Sequence, residues 1–147
     1  MNWRWCRFDA LGVDDLYDAL ALRCQVFIVE QVAFLDPDGV DRRSAHLLGR
    51  DANGALTAYL RVVDPGVSYA EPSIGRVAVA ASARGTGQGR VLMQEGIKRC
   101  ENAWPGRTIR IGAQARLADF YASLGFAAVG EVYLEDGIDH IQMLRGP

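Results

Sequence analysis

The chain has 147 residues, half of them apolar, with 16 basic and 18 acidic side chains and a formal charge of −2, enough to bury one core in a single domain spanning 1–147 without metal or disulfides. A nearly neutral chain with no Lys/Arg block lacks the clustered cations that a nucleic-acid backbone requires, so a small, non-polymeric ligand is expected and nucleic acid is not. Cys6, Cys24 and Cys100 are odd in number and widely spaced, and no stretch approaches the ~20 apolar residues of a membrane span; free thiols and a soluble, cytoplasmic protein without a membrane partner are expected.

Trp3 and Trp5 alternate with Arg4 and Cys6 at period two, which predicts a short edge strand. From Asp14 to about Val29, Leu16, Ala19, Leu20, Val26 and Phe27 recur at helical spacing, with Arg23 on the same stripe and Asp14 or Asp15 placed to cap the first turn. Residues 30–44 combine turn formers with four acids and two arginines and predict a long surface loop of the kind that serves as a lid or binding segment. Within it Asp36, Asp38 and Asp41 are placed to attract a cationic amine. An EF-hand fails there because Gly39 falls at the wrong offset and Pro37 intervenes, so no metal site is expected.

His46 to Arg50 and Leu56 to Val63 flank an Asn53-Gly54 pair, a hairpin signal. Ile74, Val77 and Val79 predict a buried strand, followed by a helix from about Gly87 to Ala103 whose stripe is Leu92, Met93, Gly96, Ile97 and Cys100. Thr108 to Gly112 is strand-like, and a right-handed crossover through that helix makes it parallel to the Ile74–Val79 strand. Leu117, Phe120, Tyr121 and Leu124 predict a short helix closed by Gly125. Phe126 begins another strand, and Glu131 to Asp136 pairs with Ile138 to Leu144 around Asp136-Gly137; His140, with Asp136 nearby, reads as a surface ion pair. The fold class is α/β in the α+β sense, a mixed, mostly antiparallel central sheet flanked by helices.

The stretch that organises this pattern runs from Ser73 to Gly96: strand, glycine-rich turn, helix. Gly85, Gly87 and Gly89 permit backbone conformations that expose N–H groups, and these lead into a helix N-terminus that favours negative charge, so the natural ligand is a phosphate or pyrophosphate. The spacing excludes the dinucleotide fingerprint G-x-G-x-x-G, whose third glycine would fall on Arg90, and the P-loop, which needs a lysine after the turn.

At Arg84-Gly85-Thr86-Gly87-Gln88-Gly89, followed by Arg90-Val91-Leu92-Met93 and, downstream, Phe120-Tyr121-x-x-x-Gly125-Phe126, the chain resembles the GNAT superfamily of N-acetyltransferases. Arg23-x-x-Val26-Phe27-x-Val29-Glu30-Gln31, Gly112-Ala113-Gln114-Ala115 and Tyr133-x-Glu135-Asp136-Gly137-Ile138-x-His140-Ile141 are similar to its ElaA-like branch. The resemblance implies a parallel strand pair splaying around acetyl-CoA, with Val77, Ala78 and Val79 on the pantetheine arm. It implies that Arg84, Gly85, Thr86, Gly87, Gln88, Gly89 and Arg90 hold the pyrophosphate, with Gln114, Phe120 and Tyr121 completing the cofactor site. An amine is the implied acceptor, and a homodimer is left open.

The implied reaction is direct attack of an amine on a thioester. An amine of pKa ~10.4 must lose a proton at pH 7, which costs ~4.6 kcal/mol before attack. A backbone N–H near Val79 suits the oxyanion, and Tyr121 matches the position that supplies a hydroxyl to the departing thiolate. Where many members carry an acid in the central strand this chain has Arg76, so the base is left between Glu30 and His46. A non-catalytic acyl-CoA sensor is the alternative reading.

Overall fold

The computed structural model describes residues 1–31 and 34–147; positions 32 and 33 of the expected 30–44 loop lie outside the described residues. Seven strands, β1 (Asn2–Arg7), β2 (Ser44–Arg50), β3 (Leu56–Val63), β4 (Ser73–Val79), β5 (Ile109–Gln114), β6 (Ala127–Glu135) and β7 (Ile138–Arg145), form one sheet in the order β1-β2-β3-β4-β5-β7-β6. Every neighbouring pair is antiparallel except β4 and β5. The crossover between them is α2 (Gln88–Ala103), while α1 (Val13–Cys24) precedes β2 and the short α3 (Ala118–Ala122) follows β5.

Strand alternation divides the apolar side chains between two faces. On one, Leu47, Leu60, Val62 and Ile111 meet Leu92, Met93, Ile97 and Cys100 of α2 and Tyr121 of α3. Burial of each large apolar side chain contributes about 1.5–3 kcal/mol before conformational entropy is charged. Gly96 lies where a Cβ would come within 2.6 Å of Leu60 Cδ2, so close approach of helix and strand is what the glycine serves. On the other face Ala19, Leu22 and Val26 of the first helical segment pack on Leu48, Tyr59 and Ala78. That helix covers β2–β4 and leaves the same face of β5 and β7 open.

Three local departures have physical reasons. The first helix is α-helical to Cys24, and its last turn, Gln25–Val29, is π-helical; the apolar run there looks like an ordinary continuation. Its cap comes from within the first turn, where Asp15 Oδ2 accepts the Gly12 N–H at 3.3 Å. The segment before α3 is a 3-10 turn, Ala115–Leu117. β6 is one long strand interrupted between Val129 and Tyr133, with Gly130 at φ +75°. Gly125 has φ +94° at the end of the α3 turn and Asp136-Gly137 have φ +52° and +76°, which fit a C-cap and a type I′ hairpin.

Candidate active site

β4 and β5 share a single bridge, Ser73 to Arg110, and then diverge. The divergence starts where Arg76 and Val77 both stand opposite Leu60, a bulge with Arg76 at φ +50°. Ala80 N–H donates to Thr57 O, so Ala80 and Ala78 direct their backbone groups to β3, and Val79 directs its own toward β5. Arg110 N–H donates to Pro72 O, which by the same alternation points the backbone of Gly112 toward β4. A cleft of about 1150 Å³ fills the split. Its lining draws on both faces of the sheet: Gly85, Gly87, Met93 and Tyr121 from the α2 side, Phe27, Arg76, Gln114 and His140 from the other.

On the α2 side, Gly85 and Gly87 have φ +78° and +77°, and the first helical bond is Val91 N–H to Gly87 O. The N–H groups of Gln88, Gly89 and Arg90 therefore have no helical acceptor and face a ready anion position. Thr86 is turned away, its hydroxyl donating to Ala83 O at 2.7 Å. Arg90 lies over the Phe120 ring at 5.6 Å and donates to Ser123 Oγ. Arg84 spans the split: its Nε donates to Val79 O at 3.1 Å and its terminal nitrogen pairs with Glu30 at 2.6 Å.

Of the expected acid–base residues, Tyr121 lines the cleft, stacks edge-on against Phe120 and Phe126, and is pushed up to about 12 by burial, so it is protonated near neutrality. Glu30 also lines the cleft but is engaged by Arg84. Gln114 Nε2 donates to Gln31 Oε1 at 3.2 Å, joining β5 to the segment after the first helix. His46 is not among the lining residues. It is 1% exposed, Nδ1 lies 2.7 Å from the Tyr59 hydroxyl, Nε2 lies 2.9 Å from Asp41 O, and burial holds its pKa down. Ala78, 1% exposed, likewise sits in the α1-side core, with Val77 and Val79 beside it in the cleft.

The acids of the 34–44 segment are not open to a cation. Asp36 meets Arg23 and Arg76, Asp38 meets Arg61 and Arg76, and Asp41 meets Arg23 and Arg61, giving three carboxylates closed on three guanidinium groups. This corrects their expected role: the chain's own arginines, from α1, β3 and β4, neutralise them and tie the loop down. Arg76, over the Phe34 ring at 5.5 Å, holds this cluster at the cleft wall. Among the described residues no His, Cys, Asp and Glu side chains group as a metal ion needs, and no helix is long and apolar enough to cross a membrane.

His140 differs most from its expected surface role. It is 8% exposed, lines the cleft, and approaches Glu135 rather than Asp136, Nε2 to Oε2 at 3.4 Å. The sequence signal was its alternation with Gln142 on β7, away from Ile141 and the buried Met143.

Comparison with known proteins agrees with this architecture. The acetyltransferase (GNAT) domain profile matches residues 25–145. Protein ElaA of Escherichia coli is 41% identical, with 99% of this chain and 96% of that one covered, and a UPF0039 protein of Synechocystis is 42% identical over 98% and 94%. The crystal structure of an acyl-CoA N-acyltransferase from Pseudomonas aeruginosa superimposes with a TM-score of 0.94 at 39% identity, covering 99% of both chains. With a matching profile over most of its length and near full-length relatives, the chain belongs to the GNAT acetyltransferase family.

Proposed function

We propose that the protein transfers an acetyl group from acetyl-CoA to a primary amine by direct attack on the thioester. The split sheet carries this reading, because it sets the Val79 backbone between a glycine turn on one face and a polar, open pocket on the other. A diphosphate suits the Gln88–Arg90 amides. The Val79 carbonyl, held by Arg84, is placed for a pantetheine amide once the guanidinium turns to the phosphates. The Val79 N–H faces the gap where the oxyanion would form, and Tyr121 reaches the same cleft from α3. The name of the Pseudomonas relative supports an acyl-CoA donor.

Gly89→Val tests the phosphate site. A Cβ at Gly89 meets nothing within 4 Å and its φ is not left-handed, so the fold should tolerate the change while the side chain obstructs the phosphates. CoA affinity measured by calorimetry should fall roughly tenfold or more, the worth of one charge-assisted hydrogen bond or better. Unchanged affinity would place the pyrophosphate elsewhere. The reaction itself is tested by thiol release from acetyl-CoA with n-butylamine, spermidine and a lysine-containing peptide. Tight binding with no release by any amine would favour an acyl-CoA sensor.

A further inference from the structure

The open face of the cleft holds one side chain arranged for proton transfer. His140 Nδ1 lies 2.7 Å from Ile138 O. A carbonyl oxygen only accepts, so Nδ1 carries a hydrogen and the neutral ring presents its lone pair at Nε2. The Tyr133 ring lies at 5.9 Å, tilted 31°, and is itself held by Gln142 Nε2 donating to its hydroxyl at 2.6 Å. Glu135 Oε2 stands 3.4 Å from Nε2. A fixed tautomer and a braced ring lining the cleft suit a general base, and the Glu135 carboxylate adds a negative charge that draws a cationic amine towards it.

We propose that His140 Nε2, backed by Glu135, is the general base that deprotonates the acceptor ammonium, directly or through one water. This rests on the transferase reading above. Several competing groups are occupied, Glu30 by Arg84, Asp38 by Arg61 and Arg76, and His46 by two hydrogen bonds outside the cleft, while Asp136 also lines the cleft but is exposed in the hairpin turn. The charged and titratable groups around His140 are Glu135 and Tyr133 on β6, Asp136 in the hairpin turn, and Arg116 from the 3-10 turn that packs on β7; Gln114 is its neutral neighbour on β5. In the step, Nε2 takes one proton from R–NH3+. The freed nitrogen lone pair forms the C–N bond as the C–S bond breaks. The second nitrogen proton replaces the one Tyr121 gives to sulfur, and His140 returns its proton to solvent, leaving amide, thiol and one proton.

The test compares wild type, His140→Gln and Glu135→Gln using acetyl-CoA with the best amine of the panel above and with methoxyamine, which is neutral at pH 7 and needs no base. His140→Gln should slow the alkyl amine by roughly 10²-fold or more and methoxyamine only a few-fold, with acetyl-CoA affinity unchanged. Glu135→Gln should slow the alkyl ammonium several-fold and spare methoxyamine, since the lost carboxylate acts only on a cation. A merely structural role would slow both amines alike. Equal slowing of both amines, or an unaffected alkyl amine, overturns the assignment while leaving the transferase reading intact. Wild type inert toward every amine overturns both.

Discussion

Arg23→Met should cost roughly 3–5 kcal/mol of stability, lowering Tm by roughly 10 °C or more in thermal unfolding. Arg23 is 1% exposed although it lies on the apolar stripe of α1, and Asp36 beneath it is fully buried. Arg23 Nε and Asp36 Oδ2 are 2.9 Å apart but poorly aligned as a hydrogen bond, so the contact is chiefly one of charge. Removing the cation strands Asp36 with only the partly exposed Arg76, and Asp41 with only Arg61. An uncompensated buried carboxylate, more than the lost packing, is what destabilises. Adding Asp36→Asn to Arg23→Met should therefore restore part of the loss. A double variant no better than the single would show that packing dominates.

The same cluster sets the acid response. Burial alone would raise the carboxyls of Asp38 and Asp41, but the hydrogen bonds and charges of Arg61 and Arg23 outweigh it and hold both below the ordinary range. Groups depressed in the fold contribute stability above their ordinary value and lose it as pH falls. His46, depressed chiefly by burial, acts in the same sense. Stability should decline first below about pH 6.5 through His46 and more steeply below about pH 4 through the aspartates.

Tyr121→Phe should lower turnover roughly 10²-fold while leaving acetyl-CoA affinity and Tm nearly unchanged. The side chain is packed between Phe120 and Phe126, and the phenyl ring keeps those contacts; among the described residues its hydroxyl has no hydrogen-bond partner to strand. With its pKa at about 12, complete transfer to a thiolate of ordinary pKa ~8.5 is uphill by roughly 5 kcal/mol. The hydroxyl is therefore suited to relay a proton in one event with the attacking nitrogen, not to act as a free-standing acid. Turnover unaffected in Tyr121→Phe would remove it from the chemistry.

Periodicity made the sheet, the crossover and the glycine turn legible, because a strand or helix records its buried face in its own residues. Pairings between distant segments left no such record. Asp36, Asp38 and Asp41 look like an open acidic loop until Arg23, Arg61 and Arg76 are seen to converge on them. His46 and His140 are both histidines on strands. What separates them is that Phe8 and the Asp41 turn close over His46 on β2, whereas His140 on β7 lines the cleft. The open face of β7 turned His140 from a surface residue into a cleft residue, a distinction that depends on where β4 parts from β5.

That parting gives the sheet four edges instead of two. Unpaired strand edges ordinarily invite another chain to add itself, the route to aggregation. The two inner edges are recessed: they converge at Ser73 and Arg110 at one end and are roofed by α2 on one face. Recessing and roofing an edge in this way is one means by which a sheet avoids edge-to-edge association. The parting that opens the cleft thus also shields the edges it creates.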